Sequence, residues 1–242
     1  MLRNSRFDSL IRQSVIGVVA AVALSACGSE STVSTTDTAA STAGQYEVAG
    51  DHAIGNPNAP VTVVEYASVV CGACANWHNT VFQDFKEKYV DPGHVRFIFR
   101  EFPTAPENLA RAGFLIANCA DEDKFMENIS LQFKRQRAIL SSSDIRGEYV
   151  KLAKASGLSE AEFQACLANV EENERLDAVE EAAFDAGVTS TPTFFINGEK
   201  VSRVEGGKQL FTLETFETVL DPMLGIETEE KASDEAPEAE QE

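Results

Sequence analysis

The chain has 242 residues and a formal net charge of −19, with 43% hydrophobic and 24% charged residues. A chain of this length and composition can fold as a globular protein of one or two domains with a sizeable core. Its acidic balance argues against nucleic-acid binding, which needs a basic surface.

The N-terminal residues have the features of a bacterial export signal. Three arginines precede an apolar run over residues 15–24, which is too short for a good transmembrane helix. The run ends in Leu24-Ser25-Ala26-Cys27, which resembles the lipobox of bacterial lipoproteins, whose cysteine is acylated and becomes the first mature residue. We therefore predict a lipoprotein signal peptide over 1–26 and lipidation at Cys27. A plain signal peptide with a chance cysteine is the alternative.

Residues 27–45 are predicted to be a flexible tether. Half of the eighteen residues from Gly28 to Gln45 are Ser or Thr, and such a segment reaches about 20–25 Å. We expect it to hold a folded domain in the periplasm, close to the membrane that carries the lipid. Gly28 is not the aspartate that retains enteric lipoproteins in the inner membrane, which favours the outer membrane.

Two cysteines lie between a predicted strand and a predicted helix. Residues 61–66 are mostly β-branched or aromatic, which is typical of a buried strand. Residues 75–89 carry apolar side chains three and four positions apart, which predicts a helix. Cys71 and Cys74 then lie at the helix N-terminus, where free N–H groups and the helix dipole stabilise an anion. Cys71 should therefore ionise easily and attack disulfides.

A second strand, a group of helices and a hairpin follow. Residues 95–100 and 193–196 are predicted strands, and Asn197-Gly198 is a typical two-residue turn leading to a strand through 200–201. Residues 159–162 fit a helix capping box. Helical spacing is found over 107–119, 123–135, 145–155, 160–167 and 173–186, and again over 213–224.

This order predicts an α/β fold. The two halves of the sheet are separated by far more helix than one crossover needs, so we expect a helical subdomain inserted at about 104–187. The folded domain should cover 46–224. Residues 225–242 are predicted to be an acidic, disordered tail, because Glu227 to Glu242 include eight acids and one lysine.

Two motifs in this order carry a resemblance to a known family. Cys71-Gly-Ala-Cys74 at a strand–helix junction is followed, after the helical insertion, by Val188-Thr-Ser-Thr-Pro-Thr-Phe-Phe-Ile-Asn-Gly198. Together they resemble the DsbA-like thiol:disulfide oxidoreductases, here in a lipoprotein form. The resemblance covers about 46–224 and implies a thioredoxin fold with an inserted all-helical subdomain.

The resemblance also implies roles for individual residues. Cys71 would be the attacking thiolate and Cys74 the resolving thiol that releases the mixed disulfide. Glu65 would relay a proton to or from Cys74, whereas a glutamate at a solvent-facing strand edge is the alternative. Pro192 would follow a cis peptide bond and keep metals and stray hydrogen bonds away from the thiols. Thr191 would offer its backbone to an extended substrate.

The dipeptide between the cysteines departs from the best-known oxidases of the family. Gly72 and Ala73 are expected to contact substrate, but they replace a Pro-His pair whose histidine stabilises the thiolate. Cys71 is therefore expected to be less acidic than in those oxidases. Thr191 resembles the threonine of isomerase and reductase relatives more than it resembles the valine of the enteric oxidase. The direction of electron flow therefore stays open.

The cysteine count fits export. Without Cys27, four cysteines remain, which makes two pairs for an oxidising compartment. By the resemblance, Cys119 and Cys166 would form a structural disulfide within the helical insertion. Two buried free thiols are the alternative.

Two other functions are alternatives to the hypothesis of disulfide exchange with exported proteins. Cys71, Cys74 and His78 have a spacing that could bind copper(I), as in a periplasmic metallochaperone, although no metal is assigned. An inactive lipoprotein scaffold is the third hypothesis. For the enzyme we expect partly folded exported proteins and a membrane redox partner, with no organic cofactor. We also expect a monomer, since the tether has no heptads.

Overall fold

The computed structural model describes residues 46–201 and 212–227. The predicted signal peptide, the tether with its lipidation site Cys27, and all but the first three residues of the predicted acidic tail lie outside these residues.

Five strands form one mixed sheet in the order β1-β3-β2-β4-β5. Strand β2 is parallel to β3 and antiparallel to β4, while β1 and β5 pair antiparallel at the two edges. The strands are β1 His52–Ile54, β2 Val61–Ala67, β3 Val95–Glu101, β4 Thr193–Ile196 and β5 Glu199–Val201. The sequence prediction missed β1, because three residues are too short to show an alternating pattern.

Strand β2 is central and buried along its whole length. Because side chains alternate between the two faces of a strand, Val63, Glu65 and Ala67 share one face, and Val64 and Tyr66 share the other. Both faces are covered by apolar cores. A strand buried on both sides favours the β-branched residues found here, and it places the carboxyl group of Glu65 in the interior.

The segment after β2 is not the single helix that the sequence predicts. It comprises α1 Gly72–Thr80, α2 Phe82–Phe85 and a π-helical turn Lys86–Val90. Trp77 and Phe82 are five residues apart, so they would lie about 140° apart around a continuous helix. The break at Val81, whose φ is −127°, brings both rings into the same core.

The insertion between β3 and β4 contains five α-helices and a short 3₁₀ turn Glu122–Lys124. The helices are α3 Glu107–Cys119, α4 Phe125–Leu140, α5 Ile145–Ala155, α6 Glu160–Leu167 and α7 Val170–Asp185. The predicted ends of α3, α5 and α6 are confirmed, and the capping box of Ser159 and Glu162 begins α6. Three of these helices, α3, α4 and α5, share a separate apolar core with α6.

The C-terminal part closes the fold. The predicted Asn197-Gly198 turn is confirmed, with φ of 48° and 80°, values typical of a type I′ hairpin. Helix α8 Leu213–Leu224 is also confirmed, and buried Asp221 ties it to the π-helical turn by accepting hydrogen bonds from Tyr89 and Lys88.

None of the helices within 46–201 and 212–227 is long and apolar enough to cross a bilayer.

Candidate active site

Cys71 is the N-cap residue of α1, directly beyond the carboxyl end of β2. Its Sγ accepts a hydrogen bond from the backbone N–H of Cys74 at 3.5 Å, and it lies 3.4 Å from the carbonyl oxygen of Thr191. Hydrogen bonds from the Cys74 thiol, from the Thr191 side chain and from the backbone N–H groups of Ala73 and Cys74 lower the pKa of Cys71 from 9.0 to about 5 despite partial burial. A thiol with this pKa is a thiolate at neutral pH.

Cys74 differs from Cys71 in exposure and in acidity. It is fully buried, whereas Cys71 is partly exposed. Burial raises the pKa of the Cys74 thiol well above its ordinary value, and the hydrogen bond to Cys71 and the charge of Glu65 raise it further. The geometry therefore separates one accessible thiolate from one protected thiol that must lose a proton before it can react.

Glu65 lies on the face of β2 that α1 covers. Its side chain is fully buried, and Oε2 is 2.8 Å from Nε2 of His78. The alternative of a solvent-facing glutamate is therefore wrong. Its other oxygen, Oε1, is buried without a hydrogen-bond partner in the described part of the chain.

Thr191, which precedes Pro192, contacts Cys71 although the two residues are 120 positions apart in sequence. The peptide bond between Thr191 and Pro192 is cis, as the resemblance implies. Pro192 is buried, whereas Thr191 is partly exposed beside Cys71, and Gly72 and Ala73 are exposed in the first turn of α1. Thr191, Gly72 and Ala73 are therefore the accessible residues beside Cys71.

Gln136 is a residue of this site that the sequence analysis missed. It comes from α4 of the insertion, and its side-chain N–H₂ group donates to the carbonyl oxygens of Val69 at 2.8 Å and Cys71 at 2.9 Å. The insertion thereby fastens the loop that carries the nucleophile. No sequence signal marks this residue, because the contact spans 65 positions and uses only backbone acceptors.

His78 is neither exposed nor arranged with the two cysteines as a metal site. Its ring binds Glu65 and stacks on Phe133, with ring centroids 4.4 Å apart. The described residues contain no group of three or more His, Cys, Asp or Glu side chains that could hold a metal ion. Nothing in the site favours the copper-binding hypothesis.

Cys119 and Cys166 form a disulfide within the insertion. The S–S distance is 1.99 Å, and the bond joins the last residue of α3 to α6. The two cysteines are 47 positions apart in sequence, so the bond connects two helices that are distant along the chain.

Known protein sequences include relatives of this chain. Residues 47–221 match the sequence profile of the family described as Thioredoxin. A "Putative protein-disulfide oxidoreductase" of Rickettsia conorii is 30% identical over 191 residues, which are 76% of this chain and 64% of that relative. The match thus spans less than two thirds of the relative's length.

Solved structures show the same architecture. The alpha-DsbA1 protein of Wolbachia pipientis superposes with a TM-score of 0.65 at 26% identity, over 76% of this chain and 96% of that one. BdbD from Bacillus subtilis superposes with a TM-score of 0.60 at 20% identity, over 74% and 95% of the two chains, and supports the fold alone. The sheet order, the cysteine pair, the helical insertion and these matches agree: the chain belongs to the thioredoxin family, in its DsbA-like form.

Proposed function

We propose that this protein is a thiol:disulfide oxidoreductase that acts on exported proteins through Cys71 and Cys74. The observation that carries the proposal is the opposite ionisation of the two thiols. The pKa of Cys71 is lowered to about 5, and that of Cys74 is raised by burial. An exposed thiolate next to a protected thiol is what a two-step exchange through a mixed disulfide needs.

In the reducing direction, the Cys71 thiolate attacks one sulfur of a substrate disulfide and the other sulfur leaves as a thiolate. Cys74 then gives its proton to Glu65 and attacks the Cys71 sulfur. The bond between Cys71 and the substrate breaks, and its electron pair leaves on the substrate sulfur. Two electrons pass from the cysteine pair to the substrate disulfide. In the oxidising direction the same steps run backwards, and Glu65 returns the proton to Cys74.

The substrate is proposed to bind across the surface around Cys71. Gly72 and Ala73 present no bulky side chain at the start of α1, so an extended chain can approach the sulfur closely. The backbone of Thr191, next to buried Pro192, supplies polar groups for such a chain. Recognition that uses mainly backbone groups suits many different partly folded substrates.

The place of action is proposed from the N-terminal sequence. The lipobox-like Leu24-Ser25-Ala26-Cys27 supports a lipid anchor, and the Ser/Thr-rich residues after it support a tether in the periplasm, with the outer membrane favoured. A monomer at the membrane surface would exchange electrons with a membrane redox partner as well as with exported proteins.

The experiment uses two full-length variants with single substitutions. Cys74→Ala should accumulate mixed disulfides with a partly oxidised test protein such as a secreted ribonuclease, because no resolving thiol remains. The matched variant Cys71→Ala should accumulate none. Trapping by both variants, or by neither, overturns the proposal.

The reduction potential of the pair then decides the direction. A value near about −120 mV, typical of a strong oxidant, indicates a disulfide donor. A value near about −270 mV, typical of thioredoxin, indicates a reductase.

A further inference from the structure

The buried Glu65–His78 pair leaves one polar atom unused on each side chain. The Oε2 and Nε2 atoms are 2.8 Å apart, and the two side chains are 0% and 1% exposed. In the part of the chain that the structure describes, Glu65 Oε1 and His78 Nδ1 are buried and have no hydrogen-bond partner. Burying a polar atom without a partner costs free energy, so two such atoms in one pair need a reason other than packing.

A cavity adjoins His78. The cavity has a volume of about 360 Å³, and its wall includes His78 together with Asn79 and Gln83, which are exposed. Glu65 is not part of this wall. His78 thus belongs both to the buried pair and to the wall of this cavity.

Two aromatic rings hold the imidazole in place. Phe133 of α4 stacks on it with ring centroids 4.4 Å apart, and Phe82 lies at 4.7 Å. A ring fixed on both sides keeps Nε2 on Glu65 and leaves Nδ1 as its second exchangeable position. Histidine suits this place because an imidazole can take up a proton at one ring nitrogen and release one from the other.

Charged and titratable groups face the pair from each element packed against it. Glu65 itself comes from β2, and Cys74 precedes His78 by one turn of α1. The charged residues in the cavity wall are Lys86 of the π-helical turn and Glu127 and Lys134 of α4. The only buried carboxylate that contacts the imidazole within the described residues is that of Glu65.

We propose that His78 carries the proton between Glu65 and the water of this cavity. The inference rests on the proposed function and adds the route by which the proton of Cys74 leaves the interior. In the reducing direction, Oε2 of Glu65 first passes a proton to Nε2 while Nδ1 releases one to water. The carboxylate then accepts a hydrogen bond from the Nε2–H and takes the proton of Cys74. The electrons stay on sulfur throughout. His78 acts through Glu65 and never touches the reacting atoms, so it is a positioning residue that also exchanges protons.

The test separates the two steps of exchange in the reduced full-length chain. The aromatic disulfide dithiobis(nitrobenzoate) releases one coloured thiolate when Cys71 attacks it, and a second when Cys74 resolves the mixed disulfide. We expect His78→Gln to slow the second release about tenfold near neutral pH and to leave the first unchanged. Glutamine can still donate an N–H to Glu65, but it cannot carry a proton onward.

Two further variants exclude a purely structural role. His78→Ala should show the same slow second release, and added imidazole should restore it through the cavity. The matched variant His94→Gln, whose side chain lies outside the cavity wall, should keep both rates. Circular dichroism confirms that each variant is folded.

The outcomes are distinct. If His78→Gln resolves the mixed disulfide at the wild-type rate between about pH 5 and 9, the relay is wrong and His78 only holds Glu65 in place. If His78→Ala is folded and slow but imidazole does not restore it, the relay is also wrong. If the wild-type chain shows no first release, the proposed function itself fails, whatever the variants do.

Discussion

The two cysteine pairs of this chain lie in two regions that treat sulfur differently. Cys71 and Cys74 are free thiols that share the first turn of one helix at the end of the central strand. Cys119 and Cys166 are joined within the insertion and link the ends of two different helices. The first pair is set up to exchange protons and bonds, whereas the second is set up to hold elements together.

The difference shows that the backbone around a cysteine decides its chemistry. Hydrogen bonds at the N-terminus of α1 lower the pKa of Cys71, and burial behind it raises that of Cys74. Cys166 in α6 has no such position, because it lies near the end of its helix and faces an apolar core. A thiolate at that end of a helix would meet the negative end of the helix dipole.

Removal of the disulfide in the insertion should have the largest effect on stability. The double variant Cys119→Ala/Cys166→Ala should lose about 2–4 kcal/mol in the free energy of unfolding, because the bond restricts a long loop of the unfolded chain. Its rate of disulfide exchange should stay at the wild-type value. Urea unfolding of the oxidised proteins measures the loss. A rate of exchange that falls with stability would contradict the division between the two pairs.

Substitutions at two glycines test how tightly the insertion and the cysteine helix are packed. Gly113→Ala in α3 would place a methyl group 2.3 Å from Oε1 of Gln132 and 2.7 Å from Val69, so it should destabilise the protein by about 1–2 kcal/mol. The matched change Gly72→Ala in α1 meets nothing within 4 Å and should alter stability by less than about 0.5 kcal/mol. Thermal unfolding compares them, and equal losses would show that the two sites are equally crowded.

The smallest expected effect is the change with pH in the rate at which Cys71 reacts. The rate at which Cys71 attacks a disulfide should be constant above neutral pH and fall to half near pH 5, since its pKa is about 5. Iodoacetamide labelling across pH measures the attack. A midpoint near 9 would mean that the helix N-terminus does not stabilise the thiolate.

Local patterns in the sequence predict much of this fold. The ends of α3, α5 and α6 follow from apolar spacing and, for α6, from a capping box that acts over three residues. The break at Val81 could not be predicted, because it depends on a core built from distant strands. The edge strand β1 is too short to have a period of its own.

The active site likewise has one part that the sequence predicts and another part that it does not. Cys71, Cys74 and the Thr191-Pro192 pair are carried by short motifs, so the sequence identifies them. The contact of Glu65 with His78 joins residues 13 positions apart on a strand and a helix, and the contact of Gln136 with Cys71 joins an insertion to a loop. Such contacts depend on how helices and strands pack against one another. The spacing of side chains along the sequence does not reveal this packing.

Trp77, the single tryptophan of the chain, gives the protein a built-in optical reporter. The indole is fully buried between the cysteine helix and the sheet, with its ring centroid 5.0 Å from that of His78. One buried emitter beside the proposed relay means that light emission from the unlabelled protein comes from one known place. Changes of charge on the imidazole, or of bonding one turn away at Cys74, can therefore be followed in real time without attaching a dye.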